Sequence, residues 1–300
     1  MTHVLARGAT PVDPQILEKL NRLSLSQSFT PETDIDWSEK TTDEEYAALY
    51  PAWSLLEGTG FDADLGIPGR IAFAKYQQMN LMAFTGLLER HGIASLARLY
   101  DLDPAQPFRE YVGHFIKEET YHYAMFQRGV RSIAAAMPGS PPLPTRGLDS
   151  LLRWLFRGIG VIPFRKLRVS LTLLFFQFAE QVTIFAHQMV RTIIPREKSL
   201  VAQIWAAHAL DEARHLVFDS MVLEQNRLPG PLAWLPRALA LPCCALLSFA
   251  LNANEVWIAR QLGVRVGLRH LPYLVRSTRA PFKRRVFGLI RRTTCSSPAA

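Results

Sequence analysis

Four stretches of this chain, at roughly 70–100, 107–136, 166–194 and 198–226, repeat their apolar residues with the period of an α-helix and contain few breakers. Residues 101–107 separate the first two stretches, and Pro195 marks the turn into the fourth. The proline-rich segment 138–144 opens a connection of some 28 residues before the third. No strand-like alternation of any length occurs, and no repeat of domain-building period is visible. Two helices, a long connection and two more helices predict an all-α four-helix bundle with a long crossover and additional N- and C-terminal helical segments. Residues 1–69 read as an irregular N-terminal extension packing on the bundle, with a short helical stretch near 14–25 and an acidic, turn-rich segment over 28–45. Residues 70–226 read as the bundle, and 227–300 as C-terminal helices with a basic tail.

The third helix needs a membrane check, because 171–194 holds 24 residues with no cation before Arg191. It also contains Gln177, Glu180, Gln181, His187 and Gln188, too many polar groups for a lipid-facing helix. A helix apolar nearly all round with one inward carboxylate is better placed in the middle of a bundle. The run 238–251 is interrupted by Pro242 and has the length of a core helix. Three cysteines, two of them adjacent, cannot form a disulfide framework, and the first residues lack the pattern of a signal peptide. The expected location is therefore cytoplasmic.

The net charge of +8 is unevenly placed. No acidic residue follows Glu255, and residues 256–300 carry ten Lys or Arg, which leaves 24 basic against 26 acidic groups before them. The basic character belongs to a tail, which argues against nucleic acid as a partner of the whole chain. Residues 282–292 alternate cations with apolar groups and predict an amphipathic helix. Such a tail could dock on an anionic membrane surface or on an acidic carrier protein.

The most informative segment is His208-x-x-x-Glu212-x-x-His215. Its three donors lie within about 60° of one another on a helix. Glu119-x-x-His122 repeats the Glu-x-x-His spacing in the second helix. With 15 Glu and 8 His in 300 residues, about 0.4 such pairs are expected by chance, so two centred in long amphipathic helices are informative. These groups project from largely apolar faces, where an unpaired charge would cost several kcal/mol. A bound metal is the natural compensation. A dinuclear carboxylate site also needs a Glu from each remaining helix. Glu180 is the carboxylate inside the apolar stretch of the third helix. Helix one offers Glu89, with Asn80 and Gln77 as fallbacks. His187 falls on the same face as Glu180 and reads as a core histidine or one supporting the site.

This donor series resembles the p-aminobenzoate N-oxygenase family of ferritin-like di-iron enzymes. The histidine four residues before the last Glu, here His208, is the distinguishing mark. The early segment from Phe29 to Trp37 is similar to the family's lead-in to the bundle. The resemblance implies Glu89, Glu119, Glu180 and Glu212 as carboxylate ligands and His122, His208 and His215 as nitrogen ligands. Glu118 and Asp211 each precede a ligand Glu symmetrically, and are expected to accept from the far N–H of the opposite histidines.

The implied activity is O2-dependent N-oxygenation of a small-molecule amine to hydroxylamine, nitroso or nitro products. The implied cofactor is two iron ions, with manganese as the other metal such donors suit. The chain has no glycine fingerprint for flavin or nicotinamide and no cysteine cluster, so electrons are expected from a separate reductase or ferredoxin. The expected assembly is a homodimer, and an acyl or peptidyl carrier protein is a candidate partner for the tail. Carbon hydroxylation or desaturation on the same ligands, and metal storage without an organic substrate, are the alternatives.

Overall fold

The computed structural model describes residues 13–27, 29–53, 62–102 and 105–265. Among these the chain forms nine α-helices and no strand: α1 Pro14–Ser26, α2 Pro31–Asp34, α3 Asp43–Trp53, α4 Asp62–Leu99, α5 Gln106–Ala135, α6 Thr145–Gly160, α7 Arg165–Ile193, α8 Leu200–Gln225 and α9 Leu235–Gln261. The fold is all-α, in keeping with a ferritin-like di-iron protein.

Two hairpins make the bundle. Short turns join α4 to α5 and α7 to α8, so each pair packs along its length, and α5 meets α8 while α4 meets α7. The crossover between the hairpins carries α6, which packs on α4 and α7, and α9 lies over α7, α4 and α6. α7 is the apolar centre. It is long and apolar enough to cross a membrane by composition, yet most of it is buried inside the bundle. Gly66 has a positive φ of 59° and breaks the helical dihedrals of α4, so the regular part of that helix starts near Pro68.

Three elements depart from expectation. The connection after residue 138 is half helix: the proline cluster ends at Pro144, just before α6 starts, and α6 places Leu148, Leu152, Leu155, Phe156 and Ile159 on one buried stripe. The described part of the extension before residue 69 is largely helical: besides α1 and α2, α3 forms where acidic groups fill a first turn (Asp43, Glu44, Glu45). Nor does Pro242 end its helix. α9 continues through it for 27 residues, with Pro242 on the exposed side. The amphipathic helix expected at 282–292 lies outside the described residues.

The N-terminal elements brace the α7–α8 turn. Arg196 donates to Glu45 at 2.8 Å and to Glu39 at 3.0 Å. Thr41 Oγ1 accepts from the backbone N–H of Val201 at 3.0 Å, capping the start of α8 from another segment. α1 packs on α5 and α8, where Leu17 and Leu20 join Phe108, Phe115 and Phe218 in a second apolar cluster below the main core.

Candidate metal centre

Between the two clusters, α4, α5, α7 and α8 turn a set of polar side chains inward. Glu89 comes from α4, Glu118, Glu119 and His122 from α5, Glu180 from α7, and His208, Asp211, Glu212 and His215 from α8. None is more than 4% exposed. Aromatic groups close the set at both ends. The Phe115 ring stacks on His215 with centroids 3.7 Å apart, and Phe126 lies 4.8 Å from His208.

The donors fall into two groups that share Glu212. Glu89, His122, His208 and Glu212 each present an atom within 4.8 Å of the others, and so do Glu119, Glu212 and His215. Glu212 Oε1 lies 2.9 Å from His208 Nε2 and 3.7 Å from His122 Nδ1, whereas Oε2 lies 3.4 Å from His215 Nδ1. In the first group Glu89 Oε1 is 2.6 Å from His208 Nε2, and in the second Glu119 Oε1 is 3.3 Å from His215 Nδ1. The carboxylate therefore turns one oxygen to each group.

The histidines are held from behind. His215 donates from Nε2 to Glu118 at 2.9 Å, and His122 donates from Nε2 to Asp211 at 3.0 Å. Arg214 spans both acceptors, donating to Glu118 at 2.8 Å and to Asp211 at 2.5 Å. This fixes the inward face of both rings as Nδ1. Arg214 has a sequence signal, its three-residue spacing from Asp211, but that spacing is common on helices and does not reveal the contact with α5.

Electrostatics separate the carboxylates. Burial pushes Glu89, Glu119 and Glu180 up, and neighbouring carboxylates add to the shift. Burial would raise Glu212 too, but His208 and His215 outweigh it and hold that group well below the ordinary range. Glu118, also opposed by burial, is held down to about 2 by His215 and Arg214. His208 is pushed down to about 4 by burial and so keeps a free lone pair. Burial works against His215 as well, yet its hydrogen bond to Glu118 and the nearby carboxylates of Glu119 and Glu212 hold it well above its ordinary value.

The donor set fits a bound metal on one observation. Both oxygens of Glu180, Oε2 of Glu89 and of Glu212, and Nδ1 of His122 and His215 are buried without a hydrogen-bond partner. Orphaned buried acceptors are costly unless a cation satisfies them; Glu180 falls outside both donor groups but lines one small cavity with Glu89, Glu119, His208 and Glu212. All the donors are oxygen or imidazole nitrogen, and Cys244 is packed into the core with α9 instead. Redox metals suit such a set.

Other candidate residues lie elsewhere. Asn80 donates to the carbonyl of Leu251 and accepts from Asn254, and Gln77 donates to Glu255, so both fallbacks on α4 serve α9. His187 is only half-buried. Two turns beyond Glu180, it faces a groove of about 890 Å³ beside Arg191, which helps burial lower its pKa. The sequence did not single out Asp219 as part of the site. It is fully buried one turn past His215, with both oxygens unpartnered and its pKa raised well above the usual range by burial. Its signal was its place on the donor stripe of α8.

A cavity of about 10 Å³ adjoins the donors, bounded by Leu88, Phe156, Phe175, Phe176, Thr85 and Thr183 together with Glu180. It has room for about one water. Phe176 can lie this close to α4 because residue 92 is glycine: a Cβ there would stand 2.5 Å from the ring's Cζ.

No curated protein matches the chain. The family model described as p-aminobenzoate N-oxygenase AurF matches residues 10–272. That span takes in every described helix and all the donors above, and the chain belongs to this oxygenase family.

Proposed function

We propose that the chain is a di-iron oxygenase that uses O2 to oxidise the nitrogen of a small-molecule amine. The observation that carries the reading is the division of Glu212 between the two donor groups, which suits a carboxylate shared by two ions. Glu89, His122 and His208 would complete one ion's donors, and Glu119 and His215 the other's, with Glu180, which lines the cavity beside them, as a further carboxylate from α7. The ions, once reduced, supply O2 activation. Electrons come from a separate donor protein.

The protein's own work is positioning and exclusion. Glu118 and Asp211, tied together by Arg214, keep His215 and His122 turned inward with Nδ1 free. The aromatic layers of Phe115 and Phe126 keep water from either end. An amine enters on the α4–α6–α7 side, where the cavity adjoins Glu180, and it must displace Phe156, Phe175 or Phe176 because the space there is water-sized. That wall offers aromatic and aliphatic surface with two threonine hydroxyls, so an apolar body with its amine pointing inward fits it.

Metal analysis with circular dichroism tests the ligand set: Glu212→Ala should stay helical and lose bound iron. Unchanged metal content refutes the assignment. The iron-loaded wild type, given aromatic or aliphatic amines with O2 and a chemical reductant, should yield hydroxylamine, nitroso or nitro products. Oxidation at carbon instead overturns the N-oxygenase reading.

A further inference from the structure

α9 and α6 expose more apolar surface than their burial against the bundle requires. α9 seats Ala240, Cys244, Leu247 and Leu251 against the core. Its opposite side carries Leu241 and Phe249, with Trp234 just before its first turn; Phe249 is 68% exposed and Trp234 61%. On α6 and the turn after it, Trp154 is 68% exposed, Val161 80% and Phe164 71%. α9 and α6 are packing neighbours.

The charges around these groups are almost all of one sign. Residues 145–170 contain six Lys or Arg and a single acid, Asp149, which is already bonded to Arg90, His91 and Arg153. Arg153, Arg157, Lys166, Arg237 and Arg260 are all exposed. Along α9 the one acid is Glu255, which accepts from Gln77, and every ionisable side chain of Asp, Glu, Lys or Arg type beyond it in the sequence is a cation.

We propose that the α6–α9 side of the molecule is a docking surface for an anionic lipid bilayer. Protruding Trp and Phe among cations are what an interfacial helix presents to lipid headgroups. A second copy of the chain fits less well, since a two-fold contact would set these cations against one another. α9 has the length and hydropathy of a membrane span, but it lies on the surface and does not cross. Its inner side is bonded to α4 through Asn80 to Leu251 and Asn254 to Asn80, bonds that a crossing helix would have to break. The inference is independent of the proposed reaction.

Flotation of the full chain with phosphatidylcholine vesicles and with phosphatidylcholine–phosphatidylserine vesicles tests it. The protein should float with the anionic vesicles and not with the neutral ones, and added salt should release it. Lys166→Glu should weaken binding by about fivefold or more. The pair Trp154→Glu with Phe164→Glu, and separately Phe249→Glu, should abolish most of it while leaving helicity and metal content intact. Wild type that stays with neither vesicle, or variants that float as well as wild type, overturns the proposal. So does a shift of oligomeric mass in the variants with vesicle binding unchanged, which would make the face a contact between copies.

Discussion

Glu118 on α5 accepts a 2.9 Å hydrogen bond from Nε2 of His215 on α8. The reciprocal bond, from His122 on α5 to Asp211 on α8, has the same form with the helices exchanged. Each central helix thus orients the other's histidine, and the imidazoles stay aimed only while the two helices keep their register. Glu118→Ala should lower metal affinity by about 10–100-fold, and Glu118→Gln, which can still accept a hydrogen bond, by less. Metal titration of the two variants checks this, and equal affinity in both would remove the orienting role.

Arg214 is the only cation spanning both acceptors among the described residues, and it is 5% exposed on its side chain. Arg214→Leu leaves two buried carboxylates without it, at a cost of about 3–5 kcal/mol. Thermal or urea unfolding of the metal-free protein should register that loss. A change within experimental error would mean that the histidines alone satisfy Glu118 and Asp211.

Stability of the metal-free protein should depend on pH in a defined sense. Glu89, Glu180 and Asp219 have folded-state pKa values raised by burial, so between their unfolded and folded values the native state holds more protons. Their contribution is fully present below the unfolded pKa and fades as pH rises through the folded one. Glu118 runs oppositely: its folded value of about 2 makes its contribution present above the unfolded pKa and lost as pH falls. The melting temperature should therefore be higher near about pH 5 than near about pH 7.5, and drop again below about pH 4. A profile rising steadily toward neutral pH contradicts the buried-acid description.

Gly92→Ala places a methyl group 2.5 Å from Phe176. Overpacking of this kind costs about 1–3 kcal/mol, and the ring has the small cavity beside Glu180 to move into. Metal content should be retained while KM for a bulky amine rises more than kcat falls. Unaltered steady-state kinetics would place substrate entry elsewhere.

Cys244 is buried and its thiol is pushed up to about 12, chiefly by burial. Such a thiol is protonated at neutral pH and inert. Thiol titration of the native protein should leave it unlabelled until denaturant is added, and labelling at the native rate of an exposed cysteine would mean that α9 opens.

How much of this could be read beforehand follows from the range of each signal. The grouping of His208, Glu212 and His215 is a property of one helix, and a spacing of four and three suffices to show it. The exchange of partners between Glu118 and His215 was legible from the symmetry of two short motifs. Glu89 could be ranked ahead of Asn80 by its chemistry alone; that Asn80 is engaged by α9 was not legible, because Leu251 lies 171 residues away in sequence. α6 was hidden by the prolines that precede it. α9 was underestimated because Pro242 looks like an end, whereas on an exposed side its missing N–H costs less than in a buried turn. Asp219 was visible only as a polar residue out of place.

Glu212 offers one oxygen to each donor group, so ions held in both would be thermodynamically linked. An ion arriving in one would fix the carboxylate that the other needs and take on part of the ordering cost for its neighbour. Loading should then pass between empty and doubly filled with little of the singly filled form, and the protein would count its metals in pairs.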